Sequence, residues 1–193
     1  MIGIAGEGTT IAKAFMAMRP NDMFMRRRCA ELPPDLDAYL ICAGYLAGKS
    51  LAEISHEQAE RTWNINFIEP ARLCDRIIAA KDKVRICLIG SQSGIRGSHD
   101  MAYAGAKAAL HLYVRTKRLR TPDQQIVCLA PHIIADSGMT GRRSDQDRVE
   151  GSAAAHRAGR HITAAEVAEV AALALFEATI FLSNTVIDLG GDR

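Results

Sequence analysis

Residues 1–15 read MIGIAGEGTTIAKAF. A short apolar run, Met1 to Ala5, breaks at once into glycines. From Thr9 to Met18 the apolar residues Ile11, Ala12, Phe15 and Met18 then recur at helical spacing. That is a strand, a tight turn and a helix in succession. Glycine lets the backbone turn sharply and approach another group closely, and the N–H groups at a helix start attract anions. Gly3, Gly6 and Gly8 therefore form a candidate phosphate turn. The third glycine of a Gly-x-Gly-x-x-Gly pattern is missing, because Ile11 stands there, and a purely structural strand–helix turn stays open as the alternative.

The same alternation continues along the chain. Pro20, Asn21 and Asp22 end the first helix, and Met23 to Met25 is a brief strand followed by three arginines, Arg26, Arg27 and Arg28. Pro33 and Pro34 mark a turn. AYLICA, residues 38–43, is a continuous apolar run closed by Gly44, the pattern of a strand buried on both faces. Ser55, with Gln58 three positions on, opens a long helix that runs to about Ala80. VRICLI, residues 84–89, is the next strand. A helix follows from Asp100 to about Leu119, and then the strand Gln125 to Ala130, stopped by Pro131. Residues 136–160 are polar and weakly periodic, and read as a loop or short helices. Thr163 and Glu166 cap a helix over Ala164 to Glu177, and Thr185 to Leu189 is a last strand before Gly190 and Gly191. Strands alternating with helices predict an α/β fold, a Rossmann-like doubly wound parallel sheet with helices on both faces, as one domain over residues 1–193.

Composition narrows the function. With 193 residues, 48% hydrophobic, the chain can bury one sizeable core. Lys plus Arg number 24 and Asp plus Glu 22, a net charge of +2, which gives no electrostatic reason to expect a nucleic-acid partner. The most apolar segment, Ala164 to Leu182, is broken by Glu166, Glu169 and Glu177, so no membrane span is expected. The N-terminus lacks a signal-peptide layout. The five cysteines, at 29, 42, 74, 87 and 128, form no Cys-x-x-Cys pair and read as reduced, buried small hydrophobes. The histidines form no metal-binding motif, and no metal site is expected. The chain reads as soluble and cytoplasmic.

Candidate chemistry clusters in the second half. Tyr103 and Lys107 are four apart on a predicted helix and share a face. A phenol titrates near pH ~10, and an ammonium beside it would lower that value towards the working range of a general acid or base. Ser91 follows a buried strand, where a hydroxyl faces the usual ligand crevice; a plain turn serine is the alternative. Pro70 has no N–H for the carbonyl of Asn66, so that carbonyl needs another partner, such as a water connected towards Lys107, or else marks an ordinary kink. Arg26 and Arg27 end the second strand, where this fold meets the adenosine ribose. The absence of an acid there favours NADP over NAD, against the alternative of a solvated basic turn.

In this order the motifs resemble the short-chain dehydrogenase/reductase family over nearly the whole chain. The glycine turn resembles the family's cofactor turn, and LDAYLICAG its Asn-Asn-Ala-Gly segment, with only Ala43 and Gly44 retained. Asn66, Ser91, Tyr103 and Lys107 match its catalytic set, with Gly94 and Gly97 after the serine. APHII, residues 130–134, resembles the segment beside the nicotinamide, which implicates Pro131 and Ile134 in cofactor binding. The resemblance implies an NADP-dependent oxidoreductase in which hydride passes between nicotinamide and the carbonyl carbon of a small ketone or secondary alcohol. Tyr103 would move the proton, Lys107 would lower its pKa and bind the ribose, Ser91 would orient the substrate oxygen, and Asn66 would hold a relay water. It also implies a homodimer or homotetramer built on the Tyr103 helix and the long helix before it. Only 27 residues lie between Ala12 and Leu40, so one strand–helix unit of the family is expected to be missing. His132 stands where the family has glycine, and Asp136 or Ser137 where it has threonine, an acid ill-suited to a pyrophosphate. Two other functions fit the same residues: a weakly binding relative without turnover, and an epimerase or dehydratase on the same fold.

Overall fold

The computed structural model describes residues 1–18, 23–140 and 146–190. The helix stop at Pro20–Asp22, Gly191 and residues 141–145 of the polar stretch lie outside them. The described strands are β1 (Ile2–Ala5), β2 (Met23–Arg26), β3 (Ala38–Ile41), β4 (Val84–Ile89), β5 (Gln124–Pro131) and β6 (Thr185–Leu189). They form one sheet in the order β2-β1-β3-β4-β5-β6, with every pairing parallel. The helices are α1 (Thr10–Met18), α2 (His56–Trp63), α3 (Glu69–Ala80), α4 (Ser93–Arg96), α5 (Met101–Thr116), α6 (Gln146–Ala155) and α7 (Ala164–Ala172).

The sheet separates two cores. On one face Ile4, Leu40, Cys87 and Leu129 pack against Ile11 and Phe15 of α1 and Val167 and Ala171 of α7. Phe15 is fully buried and stacks on Phe176, with ring centroids 6.2 Å apart. On the other face Ile41, Ile86, Leu88 and Ile126 meet Leu73 and Ile77 of α3 and Leu110 and Val114 of α5. Each such side chain contributes roughly 1.5–3 kcal/mol by leaving water. All five cysteines are buried and unpaired, as their apolar settings predict.

The expected missing unit is missing. β2 passes to β3 through residues 27–37, with a single 3₁₀ turn at Cys29–Glu31 instead of a helix and a strand. So short a crossover suffices because it spans only β1, which separates β2 from β3. Cys29, Leu32 and Leu36 fill the space beneath it against Tyr39 and α3. Arg76 Nη2 donates to the carbonyls of Cys29 and Leu32, both at 3.3 Å, pinning the segment.

The long helix of the sequence is two α-helices joined by a π turn at Asn64–Ile68, where Glu69 N bonds Asn64 O. Its capping box at Ser55 and Gln58 is present in full. The wider π turn lets Pro70, which has no N–H, sit at the start of α3 without breaking the rod. The closing helix behaves likewise, with a π turn at Leu173–Glu177 after its Thr163–Glu166 capping box. Of the polar stretch, residues 146–155 form α6.

Candidate active site

At the carboxyl ends of the strands lies a cleft of about 2100 Å³, larger than the ~300–1,000 Å³ of an ordinary small-molecule pocket. Chain order reverses between β1 and β3, the position where open α/β sheets bind ligands. There Gly6, at φ +84°, turns the chain out of β1. A Cβ on Gly6 would stand 2.8 Å from Ala43 N, so two backbones touch and only glycine fits. Gly8 faces open space and lines the cleft, as do Ala43 and Gly44. Gly3 does not. It lies inside β1, where a Cβ would meet the Tyr39 ring at 2.8 Å, so its smallness serves packing, not a phosphate.

The arginines divide. Arg26 supports the glycine turn after β1 with its main chain, its carbonyl accepting Gly6 N at 2.9 Å. Its guanidinium folds back over Phe24, 4.1 Å from the ring centroid, and donates to Met25 O. Arg26 thus stands outside the cleft, whereas Arg27 and Arg28 line it with Lys13 of α1. The strand ends at Arg26, and with it the alternation that would aim the next side chains. The cationic end is therefore Lys13, Arg27 and Arg28.

Ser91 and Tyr103 meet at the other end. Asp100 caps α5, its Oδ1 accepting Tyr103 N at 2.9 Å, and this places the tyrosine in the first turn. Tyr103 and Ser91, which lies just past the end of β4, both line the cleft. Burial raises the Tyr103 phenol above its ordinary value; the nearby Ser91 hydroxyl works against that and the Asp100 carboxylate adds to it. Lys107, one turn on, is 3% exposed and donates from Nζ to Ile89 O at 2.8 Å. Its Nζ lies 5.8 Å from the Tyr103 ring centroid, and burial pushes its ammonium down to about 8. The expected lowering of the tyrosine by an adjacent ammonium is not what this arrangement produces. The lysine is itself desolvated and committed to a carbonyl, so burial dominates both groups.

Asn66 is fully buried, and its side chain is hydrogen-bonded at both ends. Its Oδ1 accepts Tyr45 N at 3.2 Å, and its Nδ2 donates to Tyr45 O at 2.7 Å and Thr62 O at 2.8 Å. It clamps the segment after β3, which borders the cleft. Pro131 and Ile134 line the cleft, and Ile134 bridges to Ile162. The feared acid is turned away: Asp136 accepts Ala164 N at 2.8 Å at the start of α7, while Ser137 and Thr140 line the cleft.

Two residues that the motifs did not single out support the pair. Asp100 also accepts Gly48 N at 2.8 Å, tying the segment after β3 to α5. His111 extends the stripe of Tyr103 and Lys107 by one more turn and lies buried under Ser91, whose N–H points at its Nε2 at 3.4 Å. A Cβ on Gly90 would fall 2.3 Å from that ring, and one on Gly94 2.8 Å. Both glycines make room for the imidazole. Capping spacing before α5 and the i, i+4 stripe were the signals for these two residues.

The donor set fits a nicotinamide dinucleotide. A backbone cradle at Gly6–Gly8 that opens to the cleft meets a helix start, cations stand at one end, and a Ser–Tyr pair stands at the other.

The fold is a doubly wound parallel α/β sheet with a cleft at the carboxyl ends of its strands. A family model described as enoyl-(acyl carrier protein) reductase matches residues 25–190. The chain belongs to the short-chain dehydrogenase/reductase family. Solved structures agree in fold. A 3-oxoacyl (acyl-carrier-protein) reductase from Agrobacterium tumefaciens with NADP bound is 17% identical, with a TM-score of 0.81 over 100% of this chain and 93% of that one. A short-chain dehydrogenase/reductase family oxidoreductase from Burkholderia thailandensis is 15% identical, with a TM-score of 0.83 over 98% and 91%. A variant of actinorhodin polyketide ketoreductase with NADPH is 16% identical, with a TM-score of 0.83 over 98% and 95%. No curated protein sequence matches the chain.

Proposed function

We propose that this protein is an NADP(H)-dependent oxidoreductase that interconverts a small ketone and a secondary alcohol. The observation that carries the reading is a cleft lined at one end by Ser91, Tyr103 and Lys107 and at the other by the glycine turn. NADP-bound structures of the same fold support the cofactor class.

In this reading Gly6, Gly8, Ala43, Gly44, Pro131 and Ile134 border the dinucleotide, and Arg27 and Arg28 meet its 2′-phosphate. The bound cofactor supplies or accepts the hydride at the substrate carbon. The Ser91 hydroxyl binds and polarises the substrate oxygen. Tyr103 gives that oxygen a proton in reduction, so that carbonyl, hydride and proton sum to the alcohol, and takes one back in oxidation. A raised phenol pKa keeps Tyr103 protonated at neutral pH, the state needed for reduction. Lys107 supplies positive charge one helical turn from the phenol and borders the ribose. Asn66 is a positioning residue here, holding Tyr45 at the substrate side. The protein would act in the cytoplasm on small molecules. Trp63, Met101 and Leu112, exposed on α2 and α5, suit self-association through those helices.

The test is a fluorescence titration of the purified protein with NADPH and NADH, followed by turnover of NADPH over a panel of ketones. Tighter NADPH binding with ketone-dependent oxidation is expected. Binding without oxidation of any ketone would favour the non-catalytic relative, for which the missing strand–helix unit is the supporting observation.

A further inference from the structure

Residues 45–48 follow β3 and line the cleft. Buried side chains hold both ends of this short segment. At its start Asn66 brackets Tyr45, accepting its N–H at 3.2 Å and donating to its carbonyl at 2.7 Å. The guanidinium of Arg61 lies over the Tyr45 ring, 4.4 Å from its centroid. At its end Gly48 turns at φ +71°, and its N–H meets Asp100 Oδ2 at 2.8 Å. Asp100 is 4% exposed, and its other oxygen accepts Tyr103 N at 2.9 Å. One carboxylate therefore sets both the start of α5 and the end of the segment.

Leu46 and Ala47, between the two anchors, are half-buried and line the cleft. From the segment after β5, Met139 reaches over Gly44, its methyl 3.7 Å from where a Gly44 Cβ would stand. The charged side chains after the anchored residues and before α5 are occupied elsewhere. His99 and Glu53, 67% and 64% exposed, pair at 3.8 Å, and Lys49 donates to Gln58 Oε1 at 3.3 Å. We propose that residues 45–48 form a fixed specificity wall, with Asp100 as the positioning residue that holds it to the Tyr103 helix, and that the ketone or alcohol accepted carries an apolar substituent against Leu46 and Ala47. The substrate class rests on the oxidoreductase reading, whereas the wall does not.

A wall fixed at both ends has little freedom left to lose when a ligand arrives, so apolar contact with it appears in affinity. Each methylene that leaves water there is worth about fourfold. Isopropanol and cyclohexanol, both secondary alcohols, differ by three carbons and so read the wall. Neither reacts with NADPH, because alcohol and cofactor are then both reduced.

Calorimetric titration of the protein mixed with NADPH should show cyclohexanol binding at least tenfold tighter than isopropanol. In Leu46→Ser that ratio should fall at least threefold. In Asp100→Asn the amide has one acceptor oxygen, which can still cap α5, and Gly48 N loses its partner. Cyclohexanol should then weaken at least fivefold and NADPH less than twofold, whereas a mere helix cap would lower the melting temperature and leave the ratio alone. Hydrogen exchange of the protein without additions reads the wall itself. Peptides covering 45–53 should lose at least fivefold protection in Asp100→Asn, and those of α5 less than twofold. Equal binding of the two alcohols would overturn the substrate class, and unchanged exchange in folded Asp100→Asn the positioning role. If Asp100→Asn does not fold, the ratio in Leu46→Ser decides, and an unchanged ratio overturns the wall. Should NADPH itself not bind, the oxidoreductase reading falls, and the exchange result still decides the wall.

Discussion

The two ends of the cleft are built in opposite ways. At the reacting end, Tyr103, Lys107, Asn66, Asp100 and His111 are all buried, and hydrogen bonds fix four of the five through Ile89 O, Tyr45, Thr62 O, Tyr103 N, Gly48 N and Ser91 N. At the cofactor end, the glycine turn is fixed by backbone contact with Ala43. The cations Lys13, Arg27 and Arg28 stand at an edge strand with only a short crossover beyond them. Chemistry that depends on sub-ångström placement is over-determined, whereas charge recognition, which tolerates movement, is left open. In the proposed function the missing strand–helix unit falls at the end that tolerates movement.

The largest expected effect is at the rigid end. Tyr103→Phe should lower turnover roughly 10²–10⁴-fold, the usual worth of a positioned acid or base, while NADPH affinity changes less than about threefold. Steady-state kinetics beside a binding titration measures both. Retained turnover would remove the phenol from the mechanism. At the open end Gly6→Ala should be severe, because it combines φ +84° with a Cβ 2.8 Å from Ala43 N. A loss of about 1–3 kcal/mol in urea unfolding, together with weaker dinucleotide binding, is expected. Gly8→Ala, which meets nothing within 4 Å, should leave stability within about 0.5 kcal/mol. Equal costs would show that backbone contact does not shape the turn.

The arginines sharpen the same contrast with a smaller effect. Arg27→Ala or Arg28→Ala should weaken NADPH about tenfold or more and NADH less than threefold, since each loses a charged bond to a phosphate that NADH lacks. Arg26→Ala should change both by less than threefold, because its guanidinium is spent on Phe24 and Met25 O. A loss confined to Arg26→Ala would reverse this assignment.

These arginines also mark how far the sequence could be read. The bounds of β4 match the apolar run 84–89, as expected of a strand buried inside the sheet, and those of β6 match the expected 185–189. The deletion between β2 and β3 was legible from the 27 residues between Ala12 and Leu40, set against the family that the motifs resemble. Ser91 and Tyr103 were legible because each sits at a fixed offset from a regular element. For Asn66 the sequence spoke only through Pro70 and the carbonyl it cannot bond; the side-chain clamp on Tyr45 depends on where the segment after β3 lies, which carries no local signal. Which arginine faces the cleft, and which way Asp136 turns, depend on loop geometry that follows no period.

His111 gives the finest probe of the rigid end. Burial and the Lys107 charge hold its pKa down to about 4, against ~6.5 in an unfolded chain. The sign is that of a depressed group: above pH ~6.5 both states are neutral, and as pH falls towards 4 only the unfolded chain takes the proton. The stability contributed by the neutral ring is therefore present at pH 7 and lost between about 6.5 and 4, up to roughly 3 kcal/mol. Urea unfolding of the wild type and His111→Gln at pH 7.0 and 4.5 isolates it, because carboxylate effects are common to both proteins. The wild type should lose about 1–3 kcal/mol more than the variant over that interval. If the two lose equal amounts, the imidazole is taking up its proton in the folded state, and the ring beneath Ser91 is far less enclosed than Gly90 and Gly94 imply.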